Sequence, residues 1–181
     1  MRLWQVVMRL ELENLEDGKG SFAHTYRPDE LDLMDERVKL NQPASVTGRI
    51  RTSGSEVRVS GKIDARVEVE CDRCLKAVEL PVKAQFGLQY ITEQEYESSD
   101  KAELSPEEMG VSIFDGVAID VDEIVREQIL LEVPDRTLCR EDCKGICSTC
   151  GIDLNTATCN CQSSEIDPRW AALKKFQNGS S

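Results

Sequence analysis

The stretch VRVSGKIDARVEVECDRCLKAVELPVKAQFGLQY, residues 57–90, decides the fold. Val57, Val59, Ile63, Ala65, Val67, Val69 and Cys71 fall on odd positions, with Gly61 the one gap, and polar or charged residues fill the even positions between them. Successive side chains of a strand point to opposite faces, so a period of two describes a long strand with one face buried and one wet. After Cys74 the alternation resumes on even positions through Val78, Leu80, Val82, Ala84, Phe86, Leu88 and Tyr90. The two strands flank Cys71-Asp72-Arg73-Cys74, which puts a pair of thiols at the tip of a β-hairpin.

Outward from this hairpin, residues 44–52 predict an earlier strand pairing across the turn Ser53-Gly54-Ser55, and residues 3–12 a further one. The result is an antiparallel meander with one wet face. Residues 92–108 carry seven carboxylates and one lysine without an apolar period, which reads as a solvated, mobile loop. Asp120 then reads as a helix N-cap with Glu123 three residues on. Val121, Ile124, Val125 and Ile129 recur at helical spacing until Pro134 ends the run, and this helix is expected to cover the sheet. In the tail, Asp167 as N-cap and Pro168 at the first helical position open a second helix, with Trp170, Leu173 and Phe176 on one face. The fold class is therefore α+β: an antiparallel β-meander or partly closed barrel with a covering helix, a cysteine-rich zinc-binding segment and a C-terminal helix. Residues 1–134 form the core, and residues 135–181 pack on the same single domain.

The chain has 181 residues, enough for a hydrophobic core that needs no disulfides. With 22 Lys and Arg against 34 Asp and Glu, its formal net charge is −12. That sign opposes a simple basic clamp on nucleic acid and favours basic proteins, or RNA already coated by them, as partners. No segment has the roughly 18 consecutive apolar residues of a membrane span, and the N-terminus does not read as a secretory signal, so a cytoplasmic protein is expected.

In a reducing compartment, clustered cysteines read as metal ligands or redox groups. The eight here are Cys71 and Cys74; then Cys139, Cys143, Cys147 and Cys150; then Cys159 and Cys161. Thiolates are soft donors, and a structural zinc site takes four of them in a tetrahedron. The lone histidine, His24, is far from the clusters in sequence and reads as a packing or surface residue, so the sites are all-sulfur. Cys147, Cys150, Cys159 and Cys161 can close locally, with Gly151 suited to the turn, which leaves Cys139 and Cys143 to join Cys71 and Cys74. The competing partition groups Cys139, Cys143, Cys147 and Cys150 and leaves the first pair free. One structural zinc is expected and a second is open; an iron–sulfur cluster would use the same ligand type.

The chain resembles the YceD family of large ribosomal RNA subunit accumulation proteins. The resemblance is carried by CDRCL at 71–75, the acidic stretch leading to IDVDEIVREQILLEVP at 119–134, LCREDCKGICSTCGIDLN at 138–155 and DPRWAALKKF at 167–176. It implies a bacterial-type cytoplasmic factor needed for accumulation or processing of 23S ribosomal RNA, hence for large-subunit assembly. It supplies no catalytic residues. The C-terminal cysteine series occurs in only some members, which implies a metal-stabilised version of the tail.

The leading expectation is therefore a non-catalytic assembly factor presenting an acidic surface to a ribosomal precursor, 23S ribosomal RNA or a basic ribosomal protein. Candidate contacts to phosphate are Arg73, Arg140, Lys144, Arg169, Lys174 and Lys175. The alternative is a zinc-ribbon adaptor in transcription or in another protein complex. An enzyme fits poorly. A redox C-x-x-C uses a helix N-terminus to stabilise its thiolate, and this pair lies between strands. Asp120 and Asp122 are explained by helix capping and first-turn charge rather than by a metal-dependent nuclease centre.

Overall fold

A computed structural model describes residues 8–98 and 111–161. The chain divides into two compact units. The first runs through Glu70 and takes in Ala77–Thr137; the second comprises Cys71–Lys76 and the chain from Leu138 onward.

In the first unit, the alternating stretches become β5 (Glu56–Glu70) and β6 (Ala77–Thr92), paired antiparallel from Val57 opposite Tyr90 to Glu70 opposite Ala77. Strand β4 (Ala44–Ser53) pairs with β5 across the expected turn, with Ser53 opposite Glu56. β2 (Lys19–Tyr26) lies outside β4, and β3 (Val38–Leu40) extends that side by pairing with Val67–Val69 of β5. On the other side, β7 (Val111–Phe114) joins β6, giving the order β2-β4-β5-β6-β7.

Two expectations about this sheet are refined. The partly closed barrel is not formed: among the described residues β2, β3 and β7 each have a bonded neighbour on one side only and β2 and β7 are not bonded to each other, so the sheet stays open. Nor is it antiparallel throughout, because β7 runs parallel to β6. A parallel pair needs a crossover of about a dozen residues or more, and residues 93–110 supply that length. Part of the expected loop is ordered as helix α1 (Glu93–Ser98); the remainder of 92–108 lies outside the described residues. Of residues 3–12, Arg9–Glu11 form β1, which pairs with β8 (Ala118–Asp120) in a separate two-stranded sheet. The C-terminal helix expected from Asp167 also lies outside the described residues.

The inner face of the sheet is the core. Val57, Val59, Ile63, Ala65, Val67 and Val69 of β5 are buried, with Val82, Ala84 and Phe86 of β6 and Ala44, Val46 and Ile50 of β4. Gly61, the gap in the alternation, has a packing cause. A Cβ there would lie 2.6 Å from Phe86 Cζ and 2.5 Å from the Thr47 carbonyl oxygen. Phe22 crowds Gly48 in the same way, and Phe22, Gly48, Gly61 and Phe86 stand opposite one another in register. Two aromatic rings thus fill the volume that two missing side chains leave.

Helix α2 (Val121–Glu132) begins as its sequence predicts: the Asp120 carboxylate accepts the Glu123 N–H at 3.1 Å. Val121, Ile124, Val125 and Ile129 are buried in the same core as the sheet. Asp122 is also buried, which first-turn charge alone does not explain. It accepts the Tyr26 hydroxyl at 2.8 Å and the Met8 N–H at 3.2 Å. Burial, and then this carboxylate, hold the Tyr26 hydroxyl well above the usual phenol range. His24 packs edge-on against Tyr26 with centroids 4.5 Å apart and meets Glu30 at 3.2 Å. Among the described residues, no helix is long and apolar enough to cross a membrane.

Candidate metal centres

The second unit is built on one turn used twice. In Cys71-Asp72-Arg73-Cys74-Leu75-Lys76, the Cys71 N–H donates to the Lys76 carbonyl at 2.8 Å and the Leu75 N–H returns to the Cys71 carbonyl at 2.9 Å. In Cys147-Ser148-Thr149-Cys150-Gly151-Ile152, the Cys147 N–H donates to Ile152 at 2.9 Å and the Gly151 N–H returns to Cys147 at 2.8 Å. The fifth residue of each turn has a left-handed backbone, φ +60° at Leu75 and +74° at Gly151. Each turn curls a C-x2-C pair so that N–H groups point toward the first sulfur and both thiols converge.

Two groups of four sulfurs result, and in each all sulfurs lie within 4.8 Å of one another: Cys71, Cys74, Cys139 and Cys143; and Cys147, Cys150, Cys159 and Cys161. This is the partition with one site joining distant parts of the sequence and one local loop; the arrangement uniting residues 139–150 is not formed. All eight cysteines are free. In the first group, Cys71 and Cys143 are 3.9 Å apart and Cys74 and Cys139 are 3.6 Å apart. A tetrahedron with metal–sulfur bonds of about 2.3 Å has edges of about 3.8 Å. The separations therefore suit one tetrahedral ion. Three cysteines of this group are buried, while in the second group Cys150 and Cys161 are exposed.

The chemistry of the donor set agrees with the geometry. Burial pushes Cys71 up, yet N–H groups of Arg73, Cys139 and Cys74 outweigh it and bring the thiol down to about 6. N–H groups of Cys150 and Thr149 lower Cys147 to about 6. The opposite happens to Cys139, pushed up to about 12 by Cys74 and then by burial, and to Cys161, pushed up to about 12 by Cys150 and then by burial. Cys143 is also lowered, while Cys74 and Cys159 are raised, so in each group backbone N–H groups favour the thiolate at some sulfurs and neighbouring sulfurs oppose it at others. A divalent cation at the centre would offset that opposition and allow all four to ionise.

Side chains outside the thiols fix the loops. Asp153 accepts Lys76 Nζ at 2.6 Å, the Asn155 N–H at 2.9 Å and Asn155 Nδ2 at 2.7 Å. Lys76 first, then Asn155, hold its carboxyl down at about 2. Asn155 Oδ1 accepts the Lys144 N–H at 2.9 Å and Arg140 Nη2 at 2.8 Å, while its Nδ2 reaches Cys143 Sγ at 3.5 Å. Asn155 and the Lys76–Asp153 pair were not singled out in the sequence; the one available signal is Asp153 and Asn155 two apart immediately after a C-x2-C-G turn.

The expected phosphate contacts fare unevenly. Arg73 donates Nη1 to the Cys143 and Glu141 carbonyls at 2.6 and 3.4 Å, so its guanidinium ties the 139–143 loop to the turn. Arg140 is held by Asn155 and by Asp142 at 3.2 Å, and Lys144 is exposed. Arg169, Lys174 and Lys175 lie outside the described residues.

An open β-sheet unit, joined along the chain to a unit of paired cysteine turns with two four-sulfur groups, defines the class: a β-rich protein with candidate tetrathiolate metal sites. A profile of the family described as large ribosomal RNA subunit accumulation protein YceD matches residues 59–177, and the chain belongs to that family. A protein of Mycobacterium leprae is 30% identical over 136 residues, covering 75% of this chain and 60% of the relative. YlbN of Bacillus subtilis is 26% identical over 167 residues and covers 92% of each. A chloroplastic protein of Arabidopsis thaliana named large ribosomal RNA subunit accumulation protein YCED homolog 1 is 24% identical over 153 residues, covering 72% of this chain and 47% of the relative. The aligned part of the chain thus spans about 60% of the length of the mycobacterial relatives. No solved structure matches.

Proposed function

We propose that the chain is a non-catalytic cytoplasmic factor that supports accumulation and processing of 23S ribosomal RNA and assembly of the large ribosomal subunit. It does so by binding a large-subunit precursor, through its RNA or a basic ribosomal protein. The observation that carries this reading is the family match over residues 59–177, which takes in the long hairpin, α2 and every cysteine. The plant relatives are named for large ribosomal RNA subunit accumulation, which supports the ribosomal part of this reading. In this reading the metal is zinc and structural. Four thiolates around one ion leave no open coordination position for substrate or water, and the sulfur separations suit that arrangement. Metal binding fixes a loop-rich segment whose own apolar core is small.

Depletion of the protein in cells tests the reading. Sucrose-gradient profiles should show fewer large subunits and RNA analysis should show unprocessed 23S precursor. Unchanged profiles and unchanged precursor would overturn it. The second reading, a zinc-ribbon adaptor of transcription or of another complex, rests on the two cysteine turns; crosslinked material dominated by RNA polymerase and lacking ribosomal components would favour it.

A further inference from the structure

We infer that the outer face of the sheet is a docking surface for the phosphate backbone of RNA. The inference rests on the assembly-factor reading above and names the surface by which such a factor holds its precursor. Strand register brings the outward residues into rows across β2, β4, β5 and β6. One row is Lys19, Arg51, Arg58 and Gln89, and the next is Ser21, Arg49, Ser60 and Gly87. Then come Ala23, Thr47, Lys62 and Gln85, followed by Thr25, Ser45, Asp64 and Lys83. These four rows hold six cations and one carboxylate, Asp64, in a chain where acids outnumber bases 34 to 22.

The segregation is unfavourable to the fold by itself. Lys19 stands opposite Arg51, and Arg51 opposite Arg58, although like charges directly opposite on neighbouring strands are destabilising. Among the described residues, only Arg58 of the six cations has a carboxylate within 4.0 Å: Glu56, at 3.2 Å. Further along the same face, beyond Arg66, acids come to outnumber cations, with Glu68 between Glu79 and Lys39, so the cationic region has a boundary.

The texture of the face suits phosphate. Strands about 4.8 Å apart, with same-face residues repeating at about 6.6 Å, hold the cations on a fixed grid. Ser21, Ser60 and Gly87 keep the second row shallow, making a trough with Arg49 in it. Thr47 and Gln85 border it with groups that can bond phosphate or ribose hydroxyls. These four rows contain no aromatic or large aliphatic side chain, and the two rings that also line the trough, Phe22 and Phe86, are buried. They therefore lack the apolar anchors on which protein–protein interfaces depend and the platforms on which bases stack. The recognition is of backbone charge and shape, not of base sequence.

The test is binding of the full metal-loaded chain to a transcript from the large-subunit RNA, followed across salt concentrations. Arg49→Gln, Arg51→Gln and Arg58→Gln together should weaken binding by roughly tenfold to a hundredfold and reduce the slope of log affinity against log salt by about two to three. The same positions as lysine should keep the slope. Because the glutamines remove opposed like charges, the triple variant should melt no lower than wild type, which separates lost contact from lost fold. Wild type that fails to bind RNA would overturn the inference, as would a folded glutamine variant that binds with unchanged affinity and slope. Equal binding of polyglutamate of matched charge would overturn it in favour of an acidic protein partner. If depletion leaves 23S RNA intact while the variant loses RNA binding, the assembly reading fails and the surface stands. If depletion lowers 23S RNA while the folded variant binds normally and restores it, the surface fails and the reading stands.

Discussion

Leu75 and Gly151 hold the same place in two separate turns. Each follows a C-x2-C pair directly, each returns its N–H to the first cysteine's carbonyl, and each has positive φ. A left-handed backbone costs a residue with a side chain about 1–2 kcal/mol, whereas glycine adopts it freely. Leu75 is 57% exposed and repays little of that cost by packing. Leu75→Gly should therefore leave metal content unchanged and stabilise the turn by up to about 1 kcal/mol after the glycine's own entropy cost. Gly151→Ala should weaken its turn by about 1 kcal/mol, purely through the backbone, because nothing lies within 4 Å of the added Cβ. Melting temperature and the chelator concentration that strips the metal should move in opposite directions for the two variants.

Sulfur partition is decided by double substitution. The wild-type chain should bind two equivalents of zinc, one for each group of four sulfurs. Cys71→Ser with Cys139→Ser should leave one, since both lie in the same group, whereas Cys139→Ser with Cys147→Ser should leave none. Cys147→Ser alone should also expose the span from 147 to 161 to protease. Elemental analysis of reduced protein gives the counts, and equal losses from the two double variants would contradict the grouping.

Acid should reach the Lys76–Asp153 pair late. The folded carboxyl of Asp153 lies at about 2, below an unfolded value near 3.9. Its stabilising contribution is therefore complete above about pH 4 and is lost as pH falls through the folded value. At pH 4 the carboxyl carbon of Asp153 should report an ionised group by NMR. In Lys76→Met the midpoint of the same signal should move up toward the unfolded value without reaching it, because Asn155 still donates two hydrogen bonds to the carboxylate. Identical titrations in the two proteins would remove Lys76 as the cause.

Crowding at Gly61 gives a core prediction. Gly61→Ala forces the new methyl against Phe86 and the Thr47 carbonyl, and overpacking of this kind costs about 1–3 kcal/mol. Phe86→Leu in the same chain should recover part of the loss by vacating the ring's volume. Denaturant unfolding of the single and double variants measures the coupling; strict additivity would show that the ring is not what fills the space above Gly61.

Tyr26 and Asp122 form the buried polar contact joining β2 to α2. Tyr26→Phe removes a hydrogen bond to a carboxylate and should cost about 1.5–3 kcal/mol. Burial and Asp122 raise the phenol's folded value above its unfolded one, so this pair stabilises below about pH 10 and loses its contribution as the pH rises beyond that. The alkaline limb of the wild-type stability curve should accordingly be steeper than that of Tyr26→Phe.

The sequence alone determined whatever depends on short-range periodicity. Val57 to Cys71 and Val78 to Tyr90 specify two strands and their buried face, because side-chain direction in a strand alternates with every residue. Asp120 and Glu123 specify where α2 begins, because a cap bonds within one turn. The local closure of Cys147–Cys161 was legible for the same reason. Tertiary structure decided what depends on residues far apart in the chain. It placed Cys139 and Cys143 with Cys71 and Cys74, made β7 parallel and left the sheet open, and turned Asp122 from a first-turn charge into a buried partner of Tyr26. The alignment of Lys19, Arg51 and Arg58 is of the same kind. Each cation looks ordinary in its own strand, and only strand register, a property of pairing between segments, turns three separate charges into one surface.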